Sequence, residues 1–149
     1  MTTRDILVVA HAQRADTVAA AERVIRALAS AGARAVLPGD DEALLAALAG
    51  VDGTAVLGVD VDVTDIELAI VLGGDGTILR AAEIVRDGSA PVLGINMGHV
   101  GFLAEIEADD IDDAIGRVID RDYEVEERMA LSVRVKNTAG DVIYETWAL

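Results

Sequence analysis

Leu68-Ala69-Ile70-Val71-Leu72-Gly73-Gly74-Asp75-Gly76-Thr77, followed by the amphipathic run from Ile78 to Val85, reads as a strand, a glycine turn and a helix. The apolar run Leu68 to Leu72 has no polar alternation, as expected for a parallel strand covered on both faces, and it is the best candidate for a central strand. Three glycines in four positions strip the turn of Cβ atoms, so another molecule can approach bare main chain. The helix that follows points unpaired N–H groups and the positive end of its dipole at the same place, which favours phosphate. Asp75 is out of keeping with plain phosphate binding, because a carboxylate repels phosphate oxygens. It fits if it accepts a proton from an attacking hydroxyl or holds a metal ion, and this residue choice points to phosphoryl transfer onto a hydroxyl. The structural alternative is a tight turn in which Asp75 merely caps the helix.

Working outward, strands and helices alternate. Ile6 to Ala10 reads as a buried strand, and Asp16 to Ser30 as a helix with Val18, Ala21, Ile25, Leu28 and Ala29 on one face, ended by Gly32. Arg34 to Leu37 is a short second strand. Pro38-Gly39-Asp40-Asp41 turns into a brief helix that groups Leu44, Leu45 and Leu48. Val51 to Thr64 has two readings: Val59, Val61 and Val63 alternate with Asp60 and Asp62 as in a half-exposed strand, whereas Gly53 and Gly58 suggest an irregular crossover. After a helix from Thr77 to Arg86, Ala90 to Ile95 forms the next strand. The expected fold is α/β, a Rossmann-like parallel sheet whose ligands bind beyond the carboxyl ends of the strands. Neither the GxGxxG fingerprint nor a Walker-type lysine loop is present.

The last third changes character. Asp109 or Asp110 opens a helix with Ile111, Ala114, Ile115, Val118 and Ile119 at helical spacing, after which Tyr123 to Lys136 alternates as a strand. Asn137 to Asp141 reads as a hairpin turn and Val142 to Leu149 as the returning strand. A lone hairpin is marginal in water, so residues 1–122 are expected to form the Rossmann-like domain and residues 123–149 the first strands of an incomplete β-rich one.

Composition narrows the function. Asp and Glu number 27 against 12 Lys and Arg, a formal net charge of −15, which leaves nothing to offset the repulsion of a nucleic-acid backbone. Without cysteine, disulfides and thiolate metal sites are excluded. The apolar run at Ile6 to Ala10 is too short for a signal peptide and no stretch approaches a membrane span, so no membrane partner and a cytoplasmic location are expected. The acids Glu105, Glu107, Asp109, Asp110, Asp112 and Asp113 spread around a helix start and read as solvated surface, with no protein-built metal site.

A second glycine-rich block, Leu93-Gly94-Ile95-Asn96-Met97-Gly98-His99-Val100-Gly101-Phe102-Leu103-Ala104-Glu105, lies about twenty residues after the first. Together the two blocks resemble the NAD kinase family, whose N-terminal half carries GGDGT and then LGxNxGxxGFLxE. Diacylglycerol-type lipid kinases and 6-phosphofructokinases share the first motif, but the second is far more specific to NAD kinases. The resemblance implies phosphoryl transfer from ATP or polyphosphate to the 2′-hydroxyl on the adenosine ribose of NAD, with Asp75 accepting the proton. A divalent metal, Mg²⁺ or a similar ion, is then expected to arrive with ATP. Gly73, Gly74, Gly76 and Thr77 would admit the nucleotide, Gly76 and Thr77 offering backbone N–H groups, and Gly98 and Gly101 would permit close approach. Arg80 either swings towards phosphate or pairs with a neighbouring acid such as Glu83; Asn96 either hydrogen-bonds ribose or base, or forms a turn; Phe102 packs against adenine or in the core. His99 is expected to be a loop side chain near the pocket. His11 faces the same sheet edge.

In the family, a strand similar to Thr146-Trp147-Ala148-Leu149 is followed at once by an Asn-Glu pair that binds the dinucleotide. The sequence stops before it, so the 149 residues alone are expected to lack a complete site and to be inactive by themselves, the longer protein forming a homo-oligomer. The rival readings are a lipid or sugar kinase sharing the GGDGT turn and a non-catalytic nucleotide-binding module.

Overall fold

The computed structural model describes residues 2–98 and 101–149. Its principal sheet has six strands: β1 (Arg4–Ala10), β2 (Ala33–Leu37), β3 (Thr54–Val56), β4 (Ile66–Gly73), β5 (Val92–Asn96) and β6 (Ile106–Glu107). They lie in the order β3-β2-β1-β4-β5-β6 and every pairing is parallel. This is the expected α/β, Rossmann-like sheet, and β4 is interior to it. The chain runs outward from β1 to β3 on one side, then returns to place β4 on the other side of β1. The loops leaving β1 and β4 therefore diverge, which opens the crevice where such sheets bind ligands.

Period-two alternation on the two central strands sorts the core. Ile6, Val8 and Ala10 of β1 and Leu68, Ile70 and Leu72 of β4 face α1 (Ala15–Ser30), α2 (Glu42–Ala47) and α4 (Ile111–Asp120). Leu7, Val9, Ala69 and Val71 face α3 (Asp75–Val85), through Ile78, Ala81 and Val85. On α1, Val24, Ile25 and Leu28 are at most 1% exposed, and each such side chain contributes about 1.5–3 kcal/mol. The inward stripe of α1 differs from expectation: Ala29 is exposed, and Thr17, Ala20 and Val24 are buried in addition. Gly32, at φ +79°, ends that helix in a conformation that only glycine adopts without strain.

The segment 51–64 is neither a long strand nor wholly irregular. β3 ends at Val56, and Gly58, at φ +81°, turns the chain. Asp60 then accepts the N–H of Val56 at 2.8 Å, and Asp62 accepts the N–H and hydroxyl of Thr64 at 2.9 and 2.8 Å, capping a short 3₁₀ turn over Val63–Asp65. The alternating Val-Asp pattern is produced by aspartates that bond to the local backbone, leaving Val59 80% exposed.

Past α4 the expected strand from Tyr123 is shorter. Residues 123–130 carry no strand, and Tyr123 packs against the core of the large sheet. β7 (Leu131–Lys136) and β8 (Val142–Ala148) form a separate antiparallel pair, closed by a turn in which Asn137 Oδ1 accepts the N–H groups of Ala139 and Asp141 at 3.0 and 2.9 Å. The hairpin touches α3 through Trp147, whose indole N–H donates to Glu83, with the Arg86 guanidinium 5.7 Å from the ring centroid. Among the described residues no helix is long and apolar enough to cross a membrane.

Candidate functional site

The candidate residues collect at the carboxyl ends of β1, β4 and β5. The His11 N–H donates to the Leu72 carbonyl at 3.3 Å and the Met97 N–H to the Gly73 carbonyl at 3.4 Å, so the three departing loops are stitched together at the mouth of the crevice. The next polypeptide to leave is the first turn of α3.

The three glycines of that turn divide the work. A Cβ on Gly73 would stand 2.6 Å from Thr77 Oγ1, so this glycine is bare because Thr77 packs on it. Gly94, paired with Val71 on the neighbouring strand, accommodates Ile78 in the same way, its Cβ position lying 2.7 Å from Ile78 Cδ1. Gly74 and Gly76 have no atom within 4 Å of a built Cβ and present open main chain. Thr77 does not offer a free N–H as expected, since it donates to the Gly74 carbonyl at 3.1 Å. The unspent helix-start donors are those of Asp75 and Gly76, which have no carbonyl four residues earlier inside the helix.

Asp75 occupies the first helical position and Gly74 the N-cap, with no side-chain cap bond. The Asp75 carboxylate turns instead to the second glycine block. Oδ2 accepts the N–H of Phe102 at 2.9 Å, and Oδ1 accepts those of Phe102 and Leu103 at 3.2 and 3.0 Å. The two motifs are thus joined by hydrogen bonds that no local reading of either could supply.

Around them, Asn96 is 6% exposed at the end of β5, and its amide lies 3.5 Å from Glu107 Oε2. Gly98, at φ +130°, holds a conformation that favours glycine, and a Cβ there would stand 3.4 Å from an Arg14 nitrogen. Phe102 is 95% exposed, which excludes the core-packing alternative. Arg80 does not pair with Glu83. Its guanidinium reaches Asp41 Oδ2 at 2.7 Å and Asp40 Oδ1 at 3.1 Å in the β2–α2 loop, where Asp41 also caps α2 through the Leu44 N–H at 3.0 Å. His99 lies outside the described residues.

Arg14 is the site-edge residue that the sequence did not single out. From the loop after β1 it crosses the end of β4 to donate to the Met97 carbonyl at 3.1 Å, and it binds Asp16 in two places. Asp16 lies below the usual carboxylate range, chiefly because of the Arg14 hydrogen bond and also through the Thr17 N–H. Arginine before a helix is too common a pattern to flag this bridge.

A cleft of about 490 Å³ lies elsewhere, between β5, α4 and residues 122–128. Glu105, Asp122, Glu124 and Glu126 outnumber Arg117 and Arg128 on its walls, which makes it unsuited to phosphate. The acids Glu105 to Asp113 are exposed, and among the described residues no three acids or histidines gather closely enough to hold a metal ion.

An open parallel sheet with a glycine turn at its switch point and a carboxylate at the helix start places the chain in the α/β, Rossmann-like class. The family model described as the ATP-NAD kinase N-terminal domain matches residues 6–123. The NAD kinase of Leifsonia xyli subsp. xyli is 55% identical across 98% of this chain and 48% of its own length. That of Thermobifida fusca is 43% identical across 99% of this chain and 47% of its own. Among solved structures, yeast NADH kinase complexed with NADH superposes with a TM-score of 0.77 over 99% of this chain and 47% of that one; at 17% identity this shows a shared fold. The chain belongs to the NAD kinase family, and it spans about half the length of the curated relatives it matches.

Proposed function

We propose that the chain supplies the Rossmann-like part of an NAD kinase, a phosphotransferase that makes NADP from NAD and ATP, or polyphosphate in place of ATP. The carrying observation is the Asp75 carboxylate, fixed in the first turn of α3 between the open main chain of Gly74 and Gly76 at the switch point. In the proposed reaction the 2′-hydroxyl on the adenosine ribose gives its proton to Asp75 as its oxygen attacks the γ-phosphorus. The bond from that phosphorus to the bridging oxygen breaks, and ADP leaves with the electron pair. A positioned carboxylate contributes roughly 10²–10⁴-fold in such a step. The N–H groups at the start of α3 supply dipole stabilisation for phosphate charge.

The donor enters with its divalent cation, Mg²⁺ or similar, as a substrate complex. Such an ion is held largely by phosphates and water. The acceptor-side roles proposed for Asn96, Gly98 and Phe102 rest on their place at the end of β5, where Phe102 offers an uncovered ring. For Arg80 we propose a bracing role, through Asp40 and Asp41, in place of direct contact.

Residues 123–149 we read as opening a second, β-rich domain. Leu131, Val133 and Val135 leave one face of the two-stranded pair apolar and exposed, more than such a ribbon sustains in water. Homo-oligomeric assembly through that domain completes the proposal.

The test is NADP formation from NAD, ATP and Mg²⁺ by the full-length protein and its Asp75→Asn variant, with diacylglycerol and fructose 6-phosphate offered separately. Turnover of NAD, reduced at least about 10²-fold by Asp75→Asn, supports the assignment. A folded protein that phosphorylates only the lipid or the sugar overturns it.

A further inference from the structure

Asp75 is held by a segment 27 and 28 residues further along the chain, and the geometry treats its two oxygens differently. Oδ1 receives both amides, Phe102 at 3.2 Å and Leu103 at 3.0 Å, whereas Oδ2 receives only Phe102 at 2.9 Å. An ionised carboxylate has about two acceptor sites on each oxygen. The Phe102 N–H is one proton shared between both oxygens and nearer Oδ2, so among the described residues two amide protons hold the carboxylate and leave it acceptor capacity to spare.

Gly101 stands against the same carboxylate. A Cβ built on it would overlap Oδ1, approach Cγ to 3.0 Å and stand 3.3 Å from Oδ2. Gly98, three positions earlier, sits at φ +130°. At Gly101 what demands glycine is the carboxylate pressed on its Cα. The atom a methyl group would strike is the end of a side chain, so the expected yield point is the Asp75 carboxylate and the backbone stays in place.

We propose that Gly101 is a positioning residue for Asp75. Its bare Cα lets the Phe102 and Leu103 amides seat the carboxylate, and the acceptor capacity they leave takes the proton from the sugar hydroxyl. This rests on the reading of Asp75 as the base. The second glycine block then does more than admit a nucleotide: it aims the first block's carboxylate.

Gly101→Ala and Asp75→Asn separate seating from proton acceptance. The asparagine keeps an acceptor for the Leu103 amide, loses the oxygen that Phe102 reaches at 2.9 Å and has no proton-accepting carboxylate, whereas the alanine keeps the carboxylate and unseats it. Amide exchange is followed by NMR, and steady-state kinetics are run on the full-length protein. In the wild type the Phe102 and Leu103 amides, and in Asp75→Asn the Leu103 amide, are expected to exchange at least about tenfold slower than unstructured peptide; in Gly101→Ala that protection is lost. Gly101→Ala is expected to lower kcat about 10²-fold with KM for NAD and ATP within about twofold, since unseating the base removes a transition-state contribution and leaves substrate binding alone.

Unprotected Phe102 and Leu103 amides in the wild type overturn the proposal whatever Gly101→Ala does. So does a folded Gly101→Ala protein with unchanged kcat, or one whose loss lies wholly in KM. A wild-type protein that makes no NADP while its amides are protected overturns the assigned reaction and leaves the seat standing, so the two failures are distinguishable.

Discussion

Arg4 ties three elements together at the edge of the sheet opposite the candidate site, and replacing it with methionine tests how much of the fold depends on that tie. Its Nε and Nη2 bind the Glu67 carboxylate at 2.9 and 2.5 Å, joining the first residues of β1 and β4. Nη1 and Nη2 also donate to the carbonyls of Ile119 and Val118, at 2.7 and 2.9 Å, in the last turn of α4. Those are helix-end carbonyls, Val118 also accepting the N–H of Arg121 at 3.2 Å, and a cation there meets the negative end of the dipole. The side chains are 19% and 24% exposed, so water reaches part of what is lost. Hydrogen bonds from a charged donor are worth about 1.5–3 kcal/mol each, and a partly exposed ion pair at most about 1. Discounted for solvent access, Arg4→Met is expected to cost about 2–3 kcal/mol in all, or about 4–12 °C in Tm for a chain of this size. Thermal and urea unfolding followed by circular dichroism would measure it.

The pH dependence carries an independent check. Glu67 lies below the usual carboxylate range, first because of the Arg4 hydrogen bond and further through Arg121, against the opposing pull of burial. An acid with a depressed folded pKa contributes its full stabilisation above its unfolded value, near about 4.3, and loses it as pH falls through the folded one. The gap between wild type and Arg4→Met should accordingly narrow below about pH 4, leaving only the share owed to the α4 carbonyls. A Tm change under about 2 °C at pH 7, or a gap that widens in acid, would refute the reasoning.

Two further substitutions probe the ground under α3. Gly94→Val drives a Cβ to 2.7 Å from Ile78 Cδ1 and 3.4 Å from the Ala104 Cα, so overpacking should cost about 1–3 kcal/mol by urea titration, with a parallel fall in NADP formation by the full-length protein. Asp41→Ala removes both the α2 cap and the shorter of Arg80's two ion pairs, and should lower stability by about 1–2 kcal/mol, measured by chemical denaturation.

What could be read from the sequence was what repeats locally. The unbroken apolar run at Leu68 to Leu72 announced a doubly covered strand, and the spacing of Ile111, Ala114, Ile115 and Val118 announced α4, because both patterns are imposed by the period of one element. The misread segments are those where a side chain bonds its own backbone, as Asp60 and Asp62 do, or where strand-like alternation lacks a partner, as from Tyr123 to Ala130. β6, two residues long, is held by its neighbour's register and has no signal of its own. At the site, motif chemistry singled out Asp75 and the glycines. The seating of Asp75 on Phe102 and Leu103, the reach of Arg14 to Met97 and the turn of Arg80 away from Glu83 towards Asp41 all join residues far apart in the chain. Only the assembled sheet brings them within bonding distance.

Trp147 gives the molecule an optical reporter of its own. It is the sole tryptophan, and it leans on Glu83 and Arg86 towards the far end of the helix that begins with Asp75. At 1.5 Å per residue those partners lie about 12–17 Å along the axis from the carboxylate, beyond the reach of a single phosphate seated at the glycine turn. A shift in indole emission on adding inorganic phosphate would therefore record helix α3 acting as a lever on the hairpin, without any label attached.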